Sequence, residues 1–379
     1  MVATDASGEH TPSIGGVSPR FVREPVAAWQ AWSSEARPTA CFYLADPVTQ
    51  VWARNLAEAV PGQVLVLESG EAAKSWATLE RILAWLMDHN ADRSAVLVVV
   101  GGGALSDVGG MAAALFKRGI PWVSIPTTLL AMVDAAYGGK CAINFGSIKN
   151  SIGLYYEPIL RLYSTAYLQS LPPQAIFDGW AEILKHGLIA SPELMSRNES
   201  FLKHAAGPTE AKLESPTEEH LLEALLVKIK WVELDPRESG PRKILNFGHT
   251  MGHALETLMP HLGHGRAVWL GMLYECALSV NAGCLNQETA QRCYEHLLLL
   301  LPFVDDALIK SPWPAWEALW KPMLQDKKNH GGLIRWTLPV AWGLADYDRI
   351  VDPKQAQQVY EFWIRNPFVL PLLNGRSTL

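Results

Sequence analysis

The first half of the chain alternates short apolar runs with segments whose apolar residues recur every three or four positions. We interpret the runs at residues 41–44, 63–67, 95–100 and 122–125 as strands. The run at 95–100 is continuous and mostly β-branched, as expected for a strand buried on both faces. Between the runs, Trp76, Leu79 and Ile82 follow the helical period. Strand–helix–strand alternation with glycine at strand ends predicts a parallel α/β sheet.

After Pro172 and Pro173 long helical repeats dominate. The predicted helices cover residues 175–189, 218–234, 249–258, 267–280 and 287–301, and a strand-like piece follows at 332–338. We therefore expect an α/β protein with an N-terminal parallel-sheet nucleotide-binding domain at 36–172. A mostly helical domain for metal and substrate should follow at 173–379. Residues 1–35 are expected to form a loose tail, because residues 1–20 are rich in Ser, Gly, Thr and Pro.

Charge and cysteine content narrow the possible partners. A net charge of −6 argues against a nucleic-acid or anionic membrane surface, although a local basic cluster can still bind a small anion. No apolar run reaches the roughly 20 residues of a membrane span, and no signal peptide is evident. The five cysteines are odd in number and form no CxxC pair. They indicate reduced thiols in a cytoplasmic protein.

Three consecutive glycines, Gly101 to Gly103, follow the apolar run at 95–100. Bare backbone at the end of a buried strand lets amide N–H groups approach a pyrophosphate. A tight strand-to-helix turn would use the same residues, so the glycines alone leave both interpretations open. The motif is not the G-x-G-x-x-G fingerprint. Asp107 could accept a hydrogen bond from a ribose hydroxyl or simply lie in the first helical turn.

Four histidines fall between His249 and His264. His249 and His253 are four residues apart and therefore share one helical face, so spacing alone nominates them as joint ligands. Zinc sites in enzymes use three protein ligands and keep a position open, and Glu182 on another predicted helix is a candidate third ligand. The cluster indicates a metal or a phosphate site.

Basic residues accompany glycine and asparagine in this acidic chain. Each alone would be interpreted as a solvated surface charge, but together they suit the carboxylate and phosphate groups of a substrate. These residues are Lys140, Lys149, Lys185, Lys228, Arg242, Lys327 and Lys328. The loop predicted to carry Lys140 and Lys149 also contains Asp134 and Asn144.

In chain order these motifs resemble those of the dehydroquinate synthase family. They comprise Gly101-Gly102-Gly103 with Asp107, Lys117-Arg118-Gly119, Pro126-Thr127-Thr128, Val133-Asp134, Gly138-Gly139-Lys140 followed by Asn144, Lys149-Asn150, Glu182 to Lys185, Asp235 to Gly240 leading to Arg242, Asn246 to His253, His264-Gly265 and Asp326-Lys327-Lys328. The resemblance extends from about residue 36 to about residue 350. Cys141-Ala142 after the Gly-Gly-Lys and Pro241 before Arg242 depart from the family pattern.

The resemblance implies NAD, a divalent metal (Zn²⁺ or Co²⁺) and a homodimer. It implies Glu182, His249 and His264 as metal ligands and moves His253 to the substrate phosphate. The implied NAD contacts are Asp46, Glu71, Lys74, Gly102, Gly103, Asp107, Thr127, Thr128, Asp134, Lys140, Lys149, Ser170 and Leu171. The implied substrate contacts are Lys140, Asn150, Lys185, Lys228, Arg242, Asn246, His253 and one of Lys327 and Lys328, with Arg118 supplied by a neighbouring subunit.

The implied substrate is a phosphorylated sugar acid, 3-deoxy-D-arabino-heptulosonate 7-phosphate, and the products are 3-dehydroquinate and phosphate in the shikimate pathway. The implied reaction oxidises the C5 hydroxyl with NAD⁺ under metal assistance. Phosphate is then eliminated, the hydride returns to C5, the ring opens, and an intramolecular aldol step closes the carbocycle. No net redox change results.

Three alternatives remain. Another sugar phosphate cyclase would make a valiolone or an inosose, and the valiolone type alters carboxylate-binding residues, whereas Lys228, Arg242 and Asn246 are present here. An NAD- and metal-dependent polyol dehydrogenase would produce net NADH. A catalytically silent binding module should have lost some of Glu182, His249 and His264.

Overall fold

The computed structural model describes residues 2–4, 10–12, 19–146, 148–206, 212–304, 312–324 and 333–372. The chain divides into two compact units, Met1–Pro172 and Pro173–Leu379. Lys327 and Lys328, which the sequence nominates as substrate contacts, lie outside the described residues.

The first unit is built on a six-stranded sheet in which every pairing is parallel. The strands of this unit, within and outside that sheet, are β1 (Val2–Thr4), β2 (His10–Pro12), β3 (Pro19–Phe21), β4 (Cys41–Ala45), β5 (Gly62–Val66), β6 (Val96–Gly101), β7 (Trp122–Pro126), β8 (Lys140–Phe145), β9 (Ile148–Tyr155) and β10 (Leu160–Tyr163). Its α-helices are α1 (Pro25–Ala36), α2 (Gln50–Ala59), α3 (Trp76–Asp88) and α4 (Gly103–Leu115), and a π-helical turn covers Ala131–Ala135. The spatial order is β3-β10-β7-β6-β4-β5, and β1–β2 and β8–β9 form antiparallel pairs.

Strand β6 lies in the interior of the six-stranded sheet. All six of its residues are buried between β4 and β7, as the continuous apolar run predicts. On one face, Leu97 and Val99 join a core cluster with Leu79 and Ile82 of α3. Each fully buried aliphatic side chain contributes about 1.5–3 kcal/mol relative to an exposed one. The expected α/β class with a parallel sheet is confirmed.

The expected loose tail at residues 1–35 is wrong for residues 19 onward. β3 adds an edge strand to the sheet, with Pro19 paired in register with Arg161. On α1, Trp29 is fully buried and its indole N–H donates to Tyr43 Oη at 2.9 Å. The large aromatic side chain of Trp29 anchors this segment. The composition of residues 1–20 gives no information about that contact.

The expected loop around Lys140 and Lys149 is also wrong. These residues belong to the antiparallel hairpin β8–β9, in which Ile143 pairs with Ile152. One side of the hairpin packs on the core through Cys141 and Ile143, whereas most residues of β9 are exposed. Glycine and polar residues on the exposed side conceal the two-residue period of the ribbon.

The second unit is mostly helical. Its elements are α5 (Pro173–Ala190), α6 (Pro192–Ala205), α7 (Glu218–Leu234), α8 (His249–Leu258), α9 (Gly263–Asn281), α10 (Gln287–Leu297), α11 (Trp316–Leu324) and α12 (Pro353–Trp363), the strands β11 (Trp336–Ala341) and β12 (Leu344–Arg349), and the 3₁₀ helices Pro241–Asn246, Pro260–Leu262 and Leu298–Phe303. α9 is buried along nearly its whole length and contacts α5, α8, α10 and α12. Within the described ranges no helix combines the length and apolarity that crossing a membrane requires.

Helices α8 and α9 approach each other through glycine. A Cβ atom built on Gly271 would lie 2.0 Å from the carbonyl oxygen of Gly248 and 2.8 Å from the backbone nitrogen of Gly252. Backbone atoms cannot move aside as a flexible side chain can, so the approach depends on the missing methyl group.

We predict that Gly271→Ala lowers the free energy of unfolding by about 2–3 kcal/mol, because the added methyl group must separate the two helices. Gly187→Ala is the matched control on α5, where the nearest atom is the flexible Met195 side chain at 2.9 Å. Its free energy of unfolding should stay within about 1 kcal/mol of the wild type, since alanine also favours helix. Urea titration followed by circular dichroism measures both variants, and equal stability would contradict the close-packing argument.

Candidate metal and nucleotide sites

Helix α5 carries two fully buried charges one turn apart. The carboxylate of Glu182 has no exposed surface, and the ammonium of Lys185, 1% exposed, forms an ion pair with it. Removing both charges from water is expensive, and such a pair adds little to stability compared with an apolar replacement. Their burial therefore indicates a binding role for this face of α5.

His249 is placed by the start of α8. The preceding residue, Gly248, has φ 79°, a left-handed conformation that favours glycine. The buried carboxylate of Glu275 on α9 accepts hydrogen bonds from the backbone N–H groups of Gly248 at 2.6 Å and Met251 at 3.3 Å. His249 Nδ1 lies 3.1 Å from the carbonyl oxygen of Phe247. A proton on Nδ1 leaves the lone pair on Nε2 available to a metal.

His264 is placed by the start of α9. The neighbouring Gly265 donates its N–H to Asp178 Oδ1 of α5 at 3.0 Å, and a Cβ at this position would lie 2.2 Å from Asp178 Cα. This close approach brings His264 towards Glu182 on the same helix as Asp178.

Three donor groups consequently converge. The Nε2 atoms of His249 and His264 each lie 3.5 Å from Glu182 Oε1, and the three donor atoms lie within 4.8 Å of one another. Two imidazoles and one carboxylate are a donor set of catalytic zinc sites, which leave a fourth position open. The residues therefore fit a divalent metal such as zinc or cobalt. Glu256 lies 3.5 Å from His264 Nδ1 and can orient that ring.

The two imidazoles differ in protonation without a metal. Burial, reinforced by the charge of Lys185, holds the pKa of His249 well below its usual value. Burial also opposes the charged form of His264, but hydrogen bonds to Glu182 and Glu256 outweigh it and raise the pKa to about 10. At neutral pH His249 is neutral, and His264 is a cation held between two carboxylates.

His253 lies beside this group rather than within it. Its exposed ring is 5.2 Å from the His249 ring and 6.3 Å from the His264 ring, measured between centroids. The second possible donor group of the region joins His253 and His264 with Glu256. The His249–His253 pair that spacing nominates is thus not the pair closest to Glu182. Sequence reasoning missed Glu256, although it follows His249 by seven residues on the same helical face.

Two buried cations and a partly buried amide accompany these donors in the second unit. Lys228 on α7 is 6% exposed and Arg242 is 1% exposed. Arg242 donates from Nη1 to the carbonyl oxygen of Pro236 at 2.7 Å, and Asn246 donates from Nδ2 to Glu238 Oε1 at 2.7 Å. Such groups can bind carboxylate or phosphate oxygens with directional hydrogen bonds.

In the first unit, the glycines lie where a helix begins. Gly102 is the N-cap of α4, and Gly103 is its first residue. A Cβ on Gly102 would lie 3.0 Å from Thr128 Cγ2, and one on Gly103 would lie 3.0 Å from Ala135 Cβ. A bare helix N-terminus at the carboxyl edge of a parallel sheet is suited to a phosphate group. Thr127 is buried here, with its N–H bonded to the carbonyl of Gly101.

A second group of nominated residues surrounds Lys74. Its Nζ donates to Asp107 Oδ2 at 2.6 Å and contacts Asn150 Oδ1. Asn144, a residue the sequence analysis gave no role, donates to Glu71 Oε2 at 2.9 Å and accepts from the Asn150 N–H at 2.8 Å. Burial raises the pKa of Asp107 to about 6, although the charge of Lys74 opposes the shift. The structure thus brings Glu71, Lys74, Asp107 and Asn150 together.

The remaining nominated residues lie elsewhere in the first unit. Asp46 follows β4 and accepts backbone hydrogen bonds from Val48 and Thr49, so its carboxylate organises a local turn. The other positions are Asp134 in the π-helical turn, Lys140 at the start of β8, Lys149 on the exposed side of β9, Arg118 in an exposed left-handed conformation, and Ser170 and Leu171 at the end of the 3₁₀ helix Thr165–Ser170.

The family models and the sequence relatives point to one family. Residues 64–178 match the family described as 3-dehydroquinate synthase N-terminal, and residues 179–329 match 3-dehydroquinate synthase C-terminal. A 3-dehydroquinate synthase of Parabacteroides distasonis is 37% identical, over 78% of this chain and 83% of that protein.

Solved structures share the fold. A 2-deoxy-scyllo-inosose synthase complexed with carbaglucose-6-phosphate, NAD⁺ and Co²⁺ matches with a TM-score of 0.79 and 22% identity, over 93% of this chain and 98% of that one. A 2-epi-5-epi-valiolone synthase from Streptomyces hygroscopicus subsp. jinggangensis, with NAD⁺ and Zn²⁺ bound, matches with a TM-score of 0.75 and 25% identity, over 92% and 98%.

We predict that Glu182→Gln and His264→Ala each weaken zinc binding at least about 100-fold, because each removes one of three donor groups. Zinc content after dialysis, measured by mass spectrometry, should fall from about one ion per chain to a small fraction. His261→Ala is the control, since this exposed histidine lies three residues before His264. Wild-type zinc affinity in either site variant would contradict the ligand assignment.

Zinc binding should also release protons. Because the pKa of His264 is raised to about 10 while that of His249 is lowered, zinc binding at about pH 8 should release about one proton. The release should decline as the pH rises through the pKa of His264, where the free ring is already neutral. Calorimetry in buffers of different ionisation enthalpy measures it. A binding enthalpy that does not depend on the buffer would contradict the assignment.

Proposed function

The chain belongs to the 3-dehydroquinate synthase family, and we propose that it converts 3-deoxy-D-arabino-heptulosonate 7-phosphate to 3-dehydroquinate and phosphate. The observation that most supports this substrate is the burial of Lys185, Lys228 and Arg242 in the unit that holds the candidate metal ligands. Lys185 is paired with Glu182, and an anionic substrate gives a reason for a chain of net charge −6 to bury Lys228 and Arg242 as well.

When bound, NAD⁺ would supply reversible hydride acceptance, and a divalent cation on Glu182, His249 and His264 would polarise the hydroxyl oxygen of the carbon that is oxidised. The amide groups at Gly102 and Gly103 would bind the pyrophosphate of NAD⁺. Further contacts to the nucleotide would come from Asp46, Glu71, Lys74, Asp107, Thr127, Thr128, Asp134, Lys140, Lys149, Ser170 and Leu171.

The side chains proposed to hold the substrate divide by charge and hydrogen-bonding capacity. Lys228 and Arg242 are cations suited to its anionic groups, and Asn246 adds a neutral hydrogen-bonding group. His253, on the exposed side of α8, would donate a hydrogen bond to the phosphate. Lys185 is already paired with Glu182, so its ammonium would also keep that carboxylate ionised. Lys140, Asn150 and one of Lys327 and Lys328 complete the proposed set.

Assembly and location belong to the same proposal. Arg118, exposed on the first unit, would contact the phosphate bound by a second copy, which requires a homodimer. Of the five cysteines, all within the described ranges and all free thiols, four are buried. Burial raises the pKa of Cys41 to about 11 and that of Cys141 to about 12. Unreactive thiols of this kind suit a reducing cytoplasm.

A cyclase acting on a sugar phosphate without a carboxylate is the second candidate, favoured by the likeness to the inosose and valiolone synthases. The buried guanidinium of Arg242 argues against it, because a planar guanidinium is suited to two parallel hydrogen bonds with a carboxylate, the group that such a substrate lacks. A polyol dehydrogenase has no use for the same cationic groups.

The test is to incubate the zinc-loaded protein with NAD⁺ and the heptulosonate phosphate while following phosphate and NADH. We expect phosphate release that requires both zinc and NAD⁺, formation of 3-dehydroquinate, and no accumulation of NADH. Lys228→Met should lower kcat/KM at least about 100-fold, because it removes one buried cation from substrate binding. Lys230→Met, two residues along the same helix and exposed, is the control. Net NADH would instead indicate a dehydrogenase.

A further inference from the structure

The turn after α7 is organised by one carboxylate. Asp235, 7% exposed, accepts hydrogen bonds from Ser239 N at 3.0 Å, Ser239 Oγ at 3.2 Å, Gly240 N at 2.6 Å and Arg242 N at 3.3 Å. Pro241 lies between the last two donors and has no N–H to offer. The departure from the family pattern at Pro241 therefore leaves this set of hydrogen bonds intact.

Helix stability does not explain an aspartate at this position. Asp235 is the C-cap of α7, where the helix dipole disfavours negative charge. Burial also raises the pKa of the carboxyl group, but the backbone N–H groups of Gly240, Ser239 and Arg242 outweigh it and keep the pKa below its usual value. The carboxylate is ionised because of the turn that it organises.

The same turn holds the two groups proposed for substrate binding. Arg242 Nη1 donates to the carbonyl oxygen of Pro236, and Asn246 Nδ2 donates to Glu238 Oε1, both at 2.7 Å. Glu238 has φ 56°, a left-handed conformation that a non-glycine residue adopts only under constraint. The carboxylate of Asp235 thus fixes the segment that carries both acceptors, the carbonyl oxygen of Pro236 for Arg242 and the carboxylate of Glu238 for Asn246.

We propose that Asp235 is a positioning residue for substrate binding: by fixing residues 235–240 it orients Arg242 and Asn246 towards an anionic group of the substrate. This inference rests on the proposed function. We assign them to the carboxylate, the anionic group that takes no part in the proposed bond changes, so they stabilise the bound substrate and the transition state alike. Loss of their orientation should therefore raise KM more than it lowers kcat.

The test compares Asp235→Ala and Asp235→Asn with the wild type in the phosphate-release assay. Asp235→Ala should raise KM for the heptulosonate phosphate about 10- to 100-fold and change kcat less than about threefold. Asp235→Asn should recover part of the loss, because one oxygen acceptor remains. Zinc content and the affinity for NAD⁺ should be unchanged in both variants. Asp352→Ala is the control, since Asp352 also accepts two backbone N–H groups, at the start of α12.

Calorimetric titration of the substrate into zinc-loaded protein without NAD⁺ separates the inference from the proposed function. Weaker substrate binding by Asp235→Ala, together with wild-type binding by Asp352→Ala, supports the inference. This holds even if the wild type shows no turnover, because absence of turnover would overturn only the proposed reaction. Wild-type KM and substrate affinity in a folded Asp235→Ala overturn the inference and leave the reaction standing. Parallel losses of zinc, NAD⁺ and substrate binding also overturn it, because they would show a general structural role. No substrate binding by the wild type overturns both.

Discussion

A carboxylate without exposed surface is the constraint on which the second unit depends. Glu182 has lost its hydration, and an isolated buried anion would take up a proton rather than stay charged. The ammonium of Lys185 and the imidazoles of His249 and His264 supply the compensating groups. Because these partners come from α5, α8 and α9, the three helices must be held in register with one another.

Glycine is what allows the helices to approach closely enough. Gly271 faces the backbone of Gly248 and Gly252, and Gly265 faces the backbone of Asp178. A larger residue at either contact would push the helix backbones apart and so change the distance from His249 or His264 to Glu182. Close packing and candidate chemistry are therefore linked in this sequence, and glycines that supply no ligand atom control the distances between ligands.

The sequence predicts the parts of the fold that have strong hydrophobic periodicity. It does not predict segments whose structure depends on a single distant contact. The run that forms β6 and the repeat that forms α7 are found close to their observed bounds, because burial imposes their patterns. The segment containing β3 was missed because it is ordered by pairing with a strand about 140 residues later. In the site, the spacing within α8 selects His253, whereas tertiary packing brings His264 to Glu182. The residue spacing within one helix carries no information about the position of a residue on another helix. The family resemblance names that donor set, but neither it nor spacing reveals the role of Glu256 or Asp235.

The cap formed by Glu275 has an electrostatic consequence. His249 is the first residue of α8, so a cation beside it faces the end of the helix where N–H groups point outward and anions ordinarily bind. Glu275, fully buried on α9, directs its carboxylate at two of those N–H groups and cancels the local positive potential. The anion that this helix terminus attracts is thus built into the protein. The same terminus can then sit beside a divalent ion without repelling it, and a free phosphate gains little by competing there.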